Sequence, residues 1–148
     1  LGIGYKIEIK MNIIVERQYY SPKRCKDNPQ NLYIFGENEE QKGTNIRGAG
    51  QAIIRPENNS FGFCTKRSIY EYWTDEEFED NVCCIEEDIE DIHLIMQSKQ
   101  YDGVVFPING LGTGLSQLPQ KAPRTFIYLC RRLLEEFDFN NLQNLKTD

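Results

Sequence analysis

The chain contains one histidine, one tryptophan and two methionines. Its five cysteines (Cys25, Cys64, Cys83, Cys84 and Cys130) include no C-x-x-C pair. With a single histidine beside them there is no zinc-ligand spacing, so no metal and no cofactor is expected. No apolar run approaches the roughly 18–20 residues that span a bilayer, which excludes a membrane helix as partner or anchor. A cationic start followed by an apolar core is missing, so no secretory signal is read. No Gly-Lys-Ser/Thr follows a glycine-rich loop, and no G-x-G-x-x-G leads to an acidic strand end, so neither a P-loop nor a dinucleotide fingerprint is present. Net positive charge is missing too. Lys plus Arg total 17 against 23 Asp plus Glu, a net of −6. Repulsion between that charge and phosphates disfavours a long nucleic acid as partner.

An odd cysteine count, with Cys64 and Cys130 in apolar runs, reads as free thiols in a reducing, cytoplasmic compartment. Cys83-Cys84 reads as a helix with one thiol turned inward, because nothing cationic lies nearby in sequence to lower a thiol pKa. The 148 residues, 39% of them apolar, suit one folded domain, expected over 11–139. Residues 1–10 read as an extension in which Tyr5, Ile7 and Ile9 alternate with charges as in a strand, with Met11 a candidate start. Residues 140–148 form a polar tail expected to fray.

Apolar runs at Lys6–Glu16, Leu32–Phe35, Phe61–Cys64 and Gly103–Pro107 predict strands, the last a central parallel one covered on both faces. Pro22–Pro29 and Gly36–Gly50 read as loops, and Ala49–Arg55 as a short helix stopped by Pro56. Phe78, Val82, Ile85, Ile89, Ile92 and Met96 recur at helical spacing behind a Thr74–Glu77 capping box, with the carboxylates on the other faces. A second amphipathic helix runs from Pro123 to Phe137 with Phe126, Cys130, Leu133 and Phe137 inward. The alternation predicts a three-layer α/β domain with a mixed, mostly parallel sheet and helices on both faces.

Charge is unevenly spread. Residues 75–100 carry ten acidic side chains and one basic, while residues 1–74 are net +3. Lys42, Arg47, Arg55, Lys66 and Arg67 are expected to gather near two glycine-rich loops that each follow a strand. Such loops sit at carboxyl strand ends, where open α/β sheets bind ligands, and their N–H groups can approach a phosphate. The first runs from Phe35, Gly36, Glu37 and Asn38 to Arg47, Gly48, Gly50 and Gln51. The second is Asn109, Gly110, Leu111, Gly112, Thr113 and Gly114. Thr65, Lys66 and Arg67 follow the strand between them.

Phe106-Pro107 through Gly112-Thr113-Gly114 to Leu118-Pro119 resembles the second phosphate loop of macrodomains. Gly48-Ala49-Gly50-Gln51-Ala52-Ile53-Ile54-Arg55 is similar to their first. The whole pattern over about 31–137, with Phe35-Gly36-Glu37-Asn38 and Ala122-Pro123-Arg124-Thr125, also resembles a family of small bacterial and phage proteins of unassigned function. The macrodomain resemblance implies a small phosphate-bearing nucleotide of the ADP-ribose type as partner and, in some members, hydrolysis of ADP-ribose derivatives. Carried over, Gly110, Gly112, Thr113 and Gly114 hold the diphosphate. Asn38 faces the distal ribose, and Gly48 and Gly50 close over it. In a hydrolase Asn38 would orient water and Glu37 is the candidate base. The macrodomain Gly-Asp-Ile has no counterpart at Ile13–Arg17. Thr65-Lys66-Arg67 lies outside the macrodomain pattern and points to a further anionic group.

Three competing expectations stand beside an enzyme. One is a non-catalytic sponge, such as a phage protein sequestering a nucleotide immune signal in the cytoplasm of an infected cell. Another is a protein-interaction module using Glu86, Glu87 and Glu90. The last is a binder of a single nucleotide through Tyr70, Tyr72 and Trp73.

Overall fold

The computed structural model describes residues 11–98 and 100–142. The expected strand at 5–10 and the tail from 143 onward lie outside the described residues. Four strands form one sheet: β1 (Asn12–Glu16), β2 (Asn31–Asn38), β3 (Ser60–Lys66) and β4 (Gly103–Pro107). Their order is β1-β4-β2-β3 and every pairing is parallel. The sheet is therefore wholly parallel among the described residues, where a mixed one was expected.

Period-two alternation sends side chains to two cores. Leu32, Ile34, Phe63, Val104 and Phe106 pack against α2 (Phe78–Gln97) and α4 (Pro123–Phe137). Tyr33, Phe35 and Val105 face the other way, onto α1 (Pro22–Asp27) and a 3-10 turn at Gly50–Ile54. β4 is buried at all five positions, as its unbroken apolar run predicts. Parallel strands need crossovers, and these occupy opposite faces. β1 to β2 and β2 to β3 cross on the α1 side, while β3 to β4 crosses through α2.

The segment read as a loop at Pro22–Pro29 is α1. Ser21 caps it, accepting from the Arg24 N–H at 3.2 Å, and Pro22 sits in its first turn. The Thr74–Glu77 capping box does not form, because Thr74 makes no side-chain cap. Asp75 reaches instead to the start of α4, accepting from the N–H groups of Arg124 (2.8 Å) and Thr125 (2.9 Å). One α2 carboxylate faces inward against expectation. Asp88 is buried, accepts the Cys64 N–H at 2.8 Å and pairs with Lys42. The tail is ordered as far as it is described. Phe139 stacks on Phe106 with ring centres 4.6 Å apart, and Asn141 is buried.

Candidate functional site

β2 and β4 pair only from Asn31↔Gly103 to Tyr33↔Val105. Beyond that point β2 follows β3 to Asn38 while β4 follows β1 to Pro107. The two strands diverge, and two side chains from outside the sheet bridge the gap. The Tyr20 hydroxyl lies 2.7 Å from the Ile34 carbonyl and 3.3 Å from that of Val105. Gln51 accepts the Gly36 N–H at 2.8 Å and donates to the Gly110 carbonyl at 3.1 Å. The loops after β2 and β4 leave toward opposite faces, which is the condition for a ligand crevice in an open parallel sheet.

A cleft of about 1250 Å3 opens there. Its walls are the loop after β1 (Glu16 to Tyr20), the 3-10 turn (Ala49 to Gln51, with Ile53) and the loop after β4 (Asn109 and Gly112 to Ser116). Among the described residues, the N–H groups of Gly112, Thr113, Gly114, Leu115 and Ser116 donate to no protein acceptor, and neither do those of Ala49, Gly50 and Gln51. Successive unpaired amides of this kind form an anion-binding concavity. Two glycines of the second loop are required by conformation. Gly110 (φ 83°) and Gly112 (φ 80°) are left-handed, and added Cβ atoms would meet Asn141 at 2.7 Å and Leu118 at 3.0 Å respectively. Asn141 pins this loop from the tail, accepting the Leu111 N–H at 2.7 Å and donating to its carbonyl at 3.0 Å.

Of the residues expected at the site, Gly36, Gly50, Gln51, Asn109, Gly112, Thr113 and Gly114 line the cleft. The others are used differently. Phe35 is core, and Gly110 supports the loop from beneath. Gly48 bonds the Ala52 carbonyl. Thr65 is buried with its hydroxyl 2.6 Å from that of Ser116. Asn38 is buried and turned to Gln41, whose N–H it receives at 3.0 Å, so it does not face the cleft. The expected base Glu37 is buried with its oxygens on Arg55 Nε (2.6 Å) and Nη2 (2.5 Å). That geometry holds a fold together and does not present a base. The basic stretch is likewise neutralised: Lys42 by Asp88, Arg47 by Glu57, Arg55 by Glu37, and Arg67 by Glu39 and Glu77. Only Lys66 of that group lacks a carboxylate partner among the described residues.

The loop after β1 is the part of the site that sequence reasoning passes over. Arg17 has no carboxylate partner there, and Tyr19 is 90% exposed at the rim. An exposed aromatic beside an exposed arginine, just past a strand end, was the available signal. Glu16 is the one carboxylate in the lining, and it is occupied by Arg24 Nη2 and the Gln18 N–H, both at 2.9 Å. Other expectations resolve plainly. Trp73 is core, with its N–H on Glu39, so it stacks no base. His93 stacks on Phe137. Glu86 accepts from Arg132 and Tyr128, while Glu87 and Glu90 are exposed. Cys84 packs toward the core while Cys83 is exposed. No described helix is long and apolar enough to cross a membrane.

Residues 15–132 match a family described as a family of unknown function, DUF7831. The chain belongs to that family. No curated protein and no solved structure matches it. All the residues lining the cleft fall within the DUF7831 span, whereas Asn141, which clamps the second loop, lies beyond it.

Proposed function

We propose that this chain binds a nucleotide of the ADP-ribose type, with the diphosphate on the amides of residues 112–116. The observation that carries the reading is the run of N–H groups without a protein acceptor in residues that line a cleft at diverging parallel strands. The resemblance of the loop to that of macrodomains names the ligand class. Arg17 supplies charge, and Tyr19 with Ile53 and Leu115 supplies apolar surface for a ring or ribose. The site's groups favour holding over hydrolysis, since Glu37 is committed to Arg55 and Glu16 to Arg24. Sequestration of a nucleotide signal is the biological form that suits such a site.

Isothermal titration with ADP-ribose, cyclic ADP-ribose isomers and mononucleotides tests this. Saturable binding is expected, and mass spectrometry after denaturation should return the ligand intact. Gly114→Val is the informative variant. A Cβ there meets nothing within 4 Å and the backbone is not left-handed, so the fold tolerates it while the side chain narrows the loop. It should weaken binding at least about tenfold, or 1.4 kcal/mol. If none of these ligands binds, the reading fails; a converted product would replace binding with catalysis.

A further inference from the structure

Four cations among the described residues have no carboxylate within 4.0 Å: Arg17, Lys66, Lys121 and Arg124. Arg17 belongs to the cleft, and Arg124 lies over the Phe78 ring at 3.8 Å. The remaining two both lie against Tyr72. Lys66 Nζ is 4.7 Å and Lys121 Nζ 4.8 Å from the centre of the Tyr72 ring. A ring attracts an exposed ammonium but neutralises none of its charge. Two uncompensated positive charges are thus held beside one ring in a chain of net charge −6. The place is built. Gln117, one of two described non-glycine residues with positive φ, donates to the Tyr72 hydroxyl at 3.3 Å, and Lys66 Nζ donates to the Ile69 carbonyl at 2.8 Å. It adjoins the cleft through the Thr65–Ser116 hydroxyl pair, because Thr65 precedes Lys66 and Ser116 lines the cleft.

We propose that Lys66 and Lys121, gathered at Tyr72, form a second phosphate site at the Ser116 end of the cleft, suited to a dianionic phosphate monoester. Compact ammonium groups act on phosphate as point charges, and two of them match a dianion. The phosphate is either free or the terminal group of a nucleotide whose remainder occupies the cleft. The site rests on its own charges and stands whether or not ADP-ribose binds.

Inorganic phosphate, titrated at an ionic strength held constant with chloride and followed by NMR, should shift the Tyr72 ring and both lysine signals saturably. Lys66→Met combined with Lys121→Met keeps the apolar stems and should weaken phosphate binding about tenfold or more. Lys121→Gln alone, at an exposed position, gives the same direction with no burden on the fold. Phosphate taken up by the amides of residues 112–116 moves those amide signals and not the two lysines, which separates the cleft from this site. AMP moving Tyr72 and Tyr19 together identifies a nucleotide phosphate. AMP matching phosphate in affinity with Tyr19 unmoved identifies free phosphate. Equal shifts with chloride alone, or wild-type phosphate affinity in the double variant, overturns the proposal.

Discussion

Glu37 and Arg55 show how one buried pair can look like chemistry in sequence and serve architecture in space. Arg55 also donates to the Ile46 carbonyl at 2.7 Å, so the pair ties β2 to the loop that follows it. Gly62 on the neighbouring strand leaves room for it, since a Cβ there would sit 2.9 Å from the Glu37 Cβ. Removing one partner strands a buried charge. Arg55→Met should therefore cost about 3–5 kcal/mol, much of it recovered in the Glu37→Gln, Arg55→Met double variant. Urea denaturation of the set measures both, and an Arg55→Met protein as stable as wild type would refute the assignment. The cysteines divide by the same logic of burial. Burial pushes the Cys25 thiol up to about 12. Cys64 is raised further, by its hydrogen bond with Cys84 and then by burial. A thiol-specific reagent at pH 8 should modify exposed Cys83 first and reach Cys25 and Cys64 only on unfolding, as peptide mapping would read.

Among the elements, α4 begins without a cap of its own, because Ala122 makes no side-chain bond to its first turn. Asp75 caps it from another part of the chain. Burial pushes the Asp75 carboxyl up, but the N–H groups of Arg124 and Thr125 and the Thr125 hydroxyl outweigh that and hold it below 3.8. A lowered carboxyl contributes stability above its unfolded pKa and loses it as pH falls through the folded value. Asp75→Ala should cost about 1 kcal/mol at pH 7. Its deficit against wild type should close as pH drops below about 4 in thermal melts. A deficit that persists at low pH would mean packing, not charge, is what the aspartate supplies. Such remote caps are invisible to a local reading of Thr74–Glu77. So is α1, whose six residues bury only Cys25 and carry no apolar period. β2 and β4 are legible because strands covered on both faces read as unbroken apolar runs. Asp88 escapes because the stripe Ile85, Ile89, Ile92 and Met96 hides one inward carboxylate beside it.

At the scale of the molecule, the chain's net charge is −6, and the cations among the described residues are paired over most of the fold and unpaired at the cleft loop, near Tyr72 and at the start of α4. The glycine loops were legible as neighbours lining one cleft because both follow strands of one parallel sheet. The contribution of the tail was not, because Asn140 to Leu142 reads as polar chain and its partner lies about thirty residues upstream. Phe137 and Phe139 pack on Phe106 and carry the chain back to the second loop, where Asn141 meets both backbone groups of Leu111. The unpaired amides of residues 112–116 are thus positioned from a distance, by a side chain that substitutes for a neighbouring strand. Asn141→Ala leaves a buried donor and acceptor without partners, at about 1–3 kcal/mol each. The variant should melt earlier, exchange the Leu111 amide hydrogen faster, and bind ADP-ribose more weakly than stability alone explains at a temperature where it is fully folded. If Leu111 exchange stays at the wild-type rate, the loop holds its shape through Gly110, Gly112 and Leu118 alone and the tail is packing only.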